Sequence, residues 1–284
     1  MVEKTIRIED ENSIKASVPE SNLHFISEMH SDAGICKLVN EDACCARMMK
    51  VGEHFLVMAA VCDGVGGLQE GDYASKSTVQ CLNNWFDYTV SKNIQGKTKE
   101  QLIDYMQKEM ERCIQEQNRL IYSYAKDKEI RVGTTLTLLF IIDGEYIIAQ
   151  VGDSRAYCMK DKVLQLTEDQ SVVAREVKAG RLSREAARYD KRRNLILQCV
   201  GASEFLQIAY KRGSIAQGEI IFLCSDGFIH ELGEDEIGEL LKPSLLVDRA
   251  AIKKRLIDAV SLVKRRGERD NITVVLVKAY IKAG

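Results

Sequence analysis

Four acidic clusters in this chain stand where chemistry can be done. Asp63 heads the segment Asp63-Gly64-Val65-Gly66-Gly67, directly after the apolar run 56–62. Asp226, in Ser225-Asp226-Gly227, directly follows the run 220–224. Asp270, in Arg269-Asp270-Asn271, directly precedes the run 272–277. A fourth cluster, Asn40-Glu41-Asp42, lies early in the chain. Carboxylates at the ends of buried strands are costly unless something compensates their charge. Hard divalent cations such as Mg²⁺ or Mn²⁺ are the natural partners of an all-oxygen set. Two such ions side by side acidify a bridging water, which can then attack a phosphorus atom in line. Glycine after Asp63 permits close backbone approach, so the Gly64 carbonyl is itself a candidate ligand.

An Asp-Gly pair can also be no more than a turn, and the chain contains its own control. Asp143-Gly144 has β-branched and apolar runs on both sides, 134–142 and 146–151, which predicts a two-residue hairpin. Asp63-Gly64 and Asp226-Gly227 lead instead into non-strand sequence.

The elements that must carry these residues follow from the hydrophobic pattern. The runs 56–62, 156–159, 163–166, 220–224 and 272–277 read as further strands. Segments 74–90 and 102–124 read as helices, the second with Leu102, Met106, Met110, Cys113, Ile114, Ile121 and Tyr124 on one face. Residues 234–241 and 245–263 read as two helices parted at Pro243, and Ser183 is placed to cap a helix over 184–188. Strands gathered into hairpins, with helices grouped between them, predict an α+β layered domain.

Composition narrows the function classes. With 284 residues, 45% of them hydrophobic, the chain can build one large core, and a single domain over 1–284 is expected, with 1–20 as an N-terminal extension. A formal charge of −2, from 40 basic and 42 acidic residues, argues against a dedicated nucleic-acid binder. Met1-Val2-Glu3-Lys4 has no apolar signal core, and no apolar run reaches the roughly 20 residues that span a bilayer. Nine cysteines, an odd number without a C-x-x-C pair, predict free thiols in a reducing, cytoplasmic setting. The histidines at 24, 30, 54 and 230 have no ligand spacing.

Taken in order, the motifs resemble those of the type 2C metal-dependent serine/threonine protein phosphatases in their compact bacterial form. The series is Asn40-Glu41-Asp42-Ala43, Asp63-Gly64-Val65-Gly66-Gly67, Gly71-Asp72-Tyr73-Ala74-Ser75, Gly133-Thr134-Thr135-Leu136, Val151-Gly152-Asp153-Ser154-Arg155, Ser225-Asp226-Gly227 and Asp270-Asn271-Ile272-Thr273. It spans residues 23–277. The resemblance implies a four-layer α-β-β-α sandwich of two antiparallel sheets flanked by helices. It implies two Mn²⁺ or Mg²⁺ ions between the sheets, bridged by Asp63, with the Gly64 carbonyl on one and Asp226 and Asp270 on the other. Glu41 and Asp42 act as ligands or through water, and Asn271 orients this shell. The implied reaction is direct attack of a metal-bound water on phosphoserine or phosphothreonine, without a phospho-enzyme.

Three departures stand out. The family's phosphate-gripping arginine is Lys37 here, which keeps the charge but loses the bidentate fork. Val65 stands where many animal members have a histidine. Ile130 stands where bacterial members often have an aspartate for a third ion, which leaves that ion open. Lys37 and Ile130 motivate the alternative, a catalytically weak phosphatase-like module that binds and regulates a phosphoprotein or kinase. Segment 167–201 resembles the family's flap. Eight basic residues against three acids between Arg175 and Arg193 suit either phosphoprotein attraction or a solvated helical face. The cluster Lys264, Arg265, Arg266 and Arg269 reads as cations at a helix C-terminus. The partners implied are phosphorylated proteins, a serine/threonine kinase among them, with no nucleic acid and no membrane.

Overall fold

A run of apolar residues without alternation needs cover on both faces, and that requirement organises the fold. The computed structural model describes residues 23–65, 70–94 and 97–281, so the expected extension at 1–20 and the pair Gly66-Gly67 lie outside the described residues. Among these residues ten strands form two antiparallel sheets. The first sheet has the order β1 (Leu23–Asp32), β10 (Ile272–Ile281), β9 (Ile220–Cys224), β6 (Arg155–Met159) and β7 (Val163–Gln165). The second has the order β2 (Ala43–Val51), β3 (His54–Cys62), β4 (Leu136–Ile142), β5 (Glu145–Val151) and β8 (Ala209–Ser214).

The side chains of β3 sort into two cores. Val57, Ala59 and Val61 face the other sheet, where they join Leu139, Ile141, Ile148, Ile221, Leu223, Val275 and Val277. Leu56, Met58, Ala60 and Cys62 face the opposite way, onto α1 (Gly71–Asn84) and α3 (Lys99–Asp127). β9 divides likewise: Ile221 and Leu223 point between the sheets. Ile220, Phe222 and Cys224 point to α6 (Asp226–Ile229), α7 (Glu234–Leu240) and α8 (Arg249–Arg265). The result is the expected helix–sheet–sheet–helix layering.

Local signals set the helix ends. α3 starts at a capping box, in which the Gln101 amide N–H donates to Thr98 Oγ1 and Gln101 Oε1 accepts from the Thr98 amide. Its buried stripe runs from Leu102 to Ala125, and the helix extends three residues beyond each end of the predicted 102–124. The predicted helix 74–90 is in fact α1 followed by a π-helical turn, Trp85–Val90, and the short α2 (Ser91–Asn93). In that turn Trp85, Phe86 and Val90 are all buried. Ser183 caps α5 (Arg184–Tyr189) as predicted, and Ser171 does the same for α4 (Val172–Lys178). The Asp143-Gly144 turn has positive φ at both residues, 49° and 86°, as a type I′ hairpin demands.

Antiparallel register then decides which loops meet. Ala43 pairs with Cys62, Val61 with Thr137, and Leu136 with Val151. Arg155 and Val274 both pair with Cys224, and Ile272 pairs with Asp32. Asp42, Asp63, Asp153, Asp226 and Asp270 each lie within a few residues of one of these pairs. They therefore emerge at the same end of the two sheets.

Phe222 holds β9 in place: it is fully buried and stacks on Tyr157 at 4.9 Å between ring centroids. Truncating Phe222→Ala should cost about 3–5 kcal/mol of folding free energy. Urea denaturation measures it, and a loss below about 1 kcal/mol would mean that this layer can collapse around the gap.

Candidate active site

Each carboxylate is fixed through the backbone that carries it. The Asp63 amide donates to Thr135 Oγ1 at 3.0 Å. The Asp63 carbonyl accepts from the Thr135 amide at 2.8 Å and from Thr134 Oγ1 at 2.9 Å. Thr135 Oγ1 also bonds Ser154 Oγ at 2.7 Å, which ties the end of β3 to the turn before β6. Glu41 is held from three directions. Its amide donates to Asn271 Oδ1 at 2.9 Å, and its carbonyl accepts from the Gly64 amide at 3.2 Å and from Ser75 Oγ at 2.5 Å. Asn271 Nδ2 reaches the carbonyls of Ala33 and Val39, and the Asn271 amide donates to Asp270 Oδ1 at 2.9 Å. One asparagine thus joins the start of β10, the 33–39 loop and Glu41.

Two glycines are required by crowding. A Cβ on Gly64 would come within 2.6 Å of the Glu41 carbonyl and 2.7 Å of the Gly71 carbonyl. A Cβ on Gly227 would come within 2.2 Å of the Asn271 carbonyl. The Asp-Gly pairs at 63–64 and 226–227 therefore serve close backbone approach, unlike the hairpin pair at 143–144.

Asp63, Asp153, Asp226, Asp270 and Lys37 line one cavity of about 280 Å³, together with Val65, Thr135, Asn194 and Ile196. Asp42 lies buried behind it: its Oδ2 accepts from Ser225 Oγ at 3.0 Å, while its Oδ1 has no partner. Asp226 Oδ1 is likewise buried and unpaired. Lys37 Nζ stands 3.2 Å from Asp270 Oδ1 and 3.6 Å from Glu41 Oε2. Among the described residues no three such side chains are already drawn into a ligand shell. They face a shared space and are held apart at its walls.

The electrostatics of that space are lopsided. Burial, then repulsion from Asp42 and Asp226, raises the Asp63 carboxyl well above the carboxylate range. Burial pushes Asp42 up to about 7, with further repulsion from Asp226 and Asp270. Burial and the Asp226 charge push Asp153 up to about 8. Asp226 is also raised, mainly by burial, although His230 opposes the shift. Burial alone would lower Lys37, but Asp270 and Glu41 outweigh it and raise its pKa. An all-oxygen set that resists ionisation, with two buried oxygens unpaired, fits divalent cations better than any neutral ligand.

The expected residues Asp63, Gly64, Asp226, Asp270, Glu41, Asp42, Asn271 and Lys37 thus meet at one place. Two residues there were not expected. Asp153 was read only as part of a motif, yet it follows β5 as Asp63 follows β3. His230 was assigned no chemistry. Its Nε2 lies 3.4 Å from Asp226 Oδ2, and its Nδ1 lies 3.1 Å from Glu268 Oε2. Glu268 in turn accepts from the Asp270 amide at 2.9 Å. The available signal was the four-residue spacing from Asp226 to His230, one helical turn. Ile130 packs against the helix-side core and not toward the cavity.

The charged segments resolve in part. Between residues 167 and 201, Arg181 pairs with Glu176, Arg192 with Asp190 and Lys178 with Glu168, so three of the eight basic residues are met locally. Lys264 lies in the last turn of α8, as expected, and also binds Asp32 at 2.8 Å. All nine thiols are free, and among the described residues no helix is long and apolar enough to cross a membrane.

Comparison with known proteins gives the family and the fold. The family model for protein phosphatase 2C matches residues 30–261. A serine/threonine phosphatase, stp, from Listeria monocytogenes is 30% identical over 255 residues, covering 89% of this chain and 95% of that one. The serine/threonine phosphatase of S. agalactiae superposes with a TM-score of 0.74 at 25% identity, over 91% of this chain and 100% of the other. The catalytic domain of the phosphatase PstP, solved with two manganese ions, shares the fold at 23% identity, with a TM-score of 0.71 over 91% and 99% of the two chains. The chain belongs to the protein phosphatase 2C family: it is a metal-dependent protein phosphatase, and its named relatives are serine/threonine enzymes.

A titration follows from the raised carboxylates. In the unfolded chain Asp153 loses its proton near pH 4, whereas the folded, metal-free protein keeps it to about 8. The associated stability is fully present below about pH 4 and is lost as pH rises towards 8. In chelator, Asp153→Asn should therefore raise the melting temperature clearly at about pH 8.5 and little at about pH 4.5. An equal effect at both pH values would show that Asp153 is not held protonated.

Proposed function

We propose that this chain hydrolyses phosphoserine and phosphothreonine in proteins, with two divalent cations, Mn²⁺ or Mg²⁺, held by Asp63, Asp226, Asp270, Glu41 and the Gly64 carbonyl. The observation that carries this reading is the convergence of strand-end carboxylates on one cavity, two of them with a buried oxygen left unpaired. When bound, such ions make a water nucleophilic at neutral pH and neutralise phosphate oxygens.

The chain's own residues supply the rest. Asp42 stays behind the cavity on the Ser225 hydroxyl and adds negative charge to it. Asn271 fixes the Glu41 backbone and the Asp270 region relative to each other. His230 sits between Asp226 and Glu268, so the side chain of Asp226 is aimed and its charge is partly balanced. Lys37 places a lasting positive charge at the cavity wall, where a phosphate monoester must enter. Val65 and Ile196 form the apolar part of the lining. The position of Ile130 in the core leaves a third ion without a ligand from that point. Phosphorylated proteins are the substrates, a serine/threonine kinase among them, and the cytoplasm is the compartment that suits nine free thiols. Residues 1–284 act as one catalytic domain in this reading, with 167–201 as a flap beside the cavity.

The test is hydrolysis of an aryl phosphate and of a phosphothreonine peptide with Mn²⁺, with Mg²⁺ and with excess chelator. Turnover should need the metal and fall at least about 100-fold in Asp63→Asn, with the fold retained by circular dichroism. Near-normal rates in that variant would sink the ligand assignment. Lys37→Arg should lower KM several-fold through bidentate phosphate contact. Unchanged KM and kcat would mean that Lys37 does not touch the phosphate.

A further inference from the structure

Away from the carboxylates, α1 and α3 meet along a ladder of three pairs. Tyr73 stacks on Tyr124 with ring centroids 4.3 Å apart. Gln117 Nε2 donates to Ser77 Oγ at 3.1 Å. Cys81 Sγ lies 3.7 Å from Cys113 Sγ, and either thiol can be the donor. Residues 73, 77 and 81 are four apart, so a single face of α1 carries all three contacts. A disulfide needs sulfur atoms about 2.05 Å apart, so bond formation requires a closing movement of about 1.7 Å. The neighbouring pairs already hold the two helices in register for it.

The two thiols are not equivalent. Cys81 is half-buried and within reach of a small solute, whereas Cys113 is buried at 7% exposure. The hydrogen bond from Cys113 holds the Cys81 thiol below its ordinary pKa, and the same bond and burial raise Cys113. Burial raises the thiols of Cys44, Cys45, Cys62, Cys158, Cys199 and Cys224. Cys81 is thus the favoured nucleophile of the pair, with its resolving partner already in contact.

We propose that Cys81 and Cys113 form a reversible disulfide, driven by hydrogen peroxide, that locks α1 to α3. The Cys81 thiolate attacks one peroxide oxygen, the O–O bond breaks, and one water leaves with a proton from the medium. Cys81 is then a sulfenic acid. Cys113 sulfur attacks the Cys81 sulfur, the S–O bond breaks, and the hydroxyl departs as a second water with the Cys113 proton. One peroxide is reduced to two waters, and two thiols are oxidised to one disulfide. A dithiol reverses the step by exchange.

The lock has a route to the phosphatase site. The first five residues of α1 include Ser75, whose hydroxyl donates to the Glu41 carbonyl, and Gly71, which packs against Gly64. A cross-link at the other end of α1 therefore fixes the helix on which the Glu41 backbone rests.

Peptide mapping of the full chain after titration with hydrogen peroxide tests this. A Cys36→Ser background removes the exposed thiol, which could otherwise join two molecules. The expected product is a linked peptide pair containing Cys81 and Cys113, with the loss of two hydrogens from the intact mass. The melting temperature should rise by about 5 °C or more and return with dithiothreitol. Cys113→Ala should leave Cys81 as a sulfenic acid that dimedone traps, and Cys81→Ser should give neither product. Linkage between other cysteines, oxidation of Cys81 to sulfinic acid without a cross-link, or unreacted thiols in the folded wild-type chain would overturn the proposal.

Discussion

Mutual repulsion among buried carboxylates is the constraint around which this molecule is built. Asp42, Asp63, Asp153 and Asp226 all have raised pKa values, with burial first among the causes and neighbouring carboxylates adding to it in each case. Such a group of charges pushes its own scaffold apart, so the scaffold must be stiff. Stiffness comes largely from hydrogen bonds by uncharged side chains: Thr134 and Thr135 grip the Asp63 backbone, Ser225 the Asp42 carboxyl and Asn271 the Glu41 backbone, with the ion pairs of Lys37 and His230 beside them. These partners lie one or two residues outside the ends of core strands. They can be rigid there because β3, β4, β9 and β10 are packed on both faces.

Both helix layers reach the cavity, and they do so differently. On the β3 side, α1 meets the site through uncharged contacts, the Ser75 hydroxyl and the backbone of Gly71. On the β9 side, the contact is ionic, from Asp226 through His230 to Glu268 and back to the Asp270 amide. That chain raises the pKa of His230 against its burial and lowers that of Glu268. An imidazole beside Asp226, whose protonated form Asp226 and Glu268 favour, and a lysine beside Asp270 stand against the same wall of the cavity. On the opposite wall, Asp63 and Asp153 have no ion pair of this kind among the described residues. The cavity is therefore polarised, and its uncompensated side is the one formed by the second sheet.

The site was largely legible in the sequence because its residues sit at the ends of central strands. A central strand is covered on both faces, so 56–62 and 220–224 read as unbroken apolar runs, and their ends mark where Asp63 and Asp226 must emerge. The strands that escaped notice, β1, β2 and β8, are all sheet edges. Leu23–Asp32 contains His24, Ser27, Glu28, His30 and Ser31, and Ala209–Ser214 is mostly exposed. An edge strand has one covered flank and tolerates polar residues, so its pattern carries little signal. Asp153 was overlooked for a related reason: Gly152-Asp153 reads as one more turn until the pairing of β5 with β4 shows that the turn opens into the cavity.

Lysine in place of arginine at position 37 has a meaning that sequence alone did not supply. A guanidinium is a planar fork suited to a phosphate's paired oxygens, whereas an ammonium is a compact point charge with three donors. At position 37 the charge stands 3.2 Å from Asp270 and within 4 Å of Glu41, between two carboxylates that belong to separate loops. A point charge fits such a gap without a fixed plane, and both carboxylates raise its pKa. The residue is therefore placed to hold the 33–41 loop onto the start of β10, and the proposed contact with a substrate phosphate draws on the same ammonium.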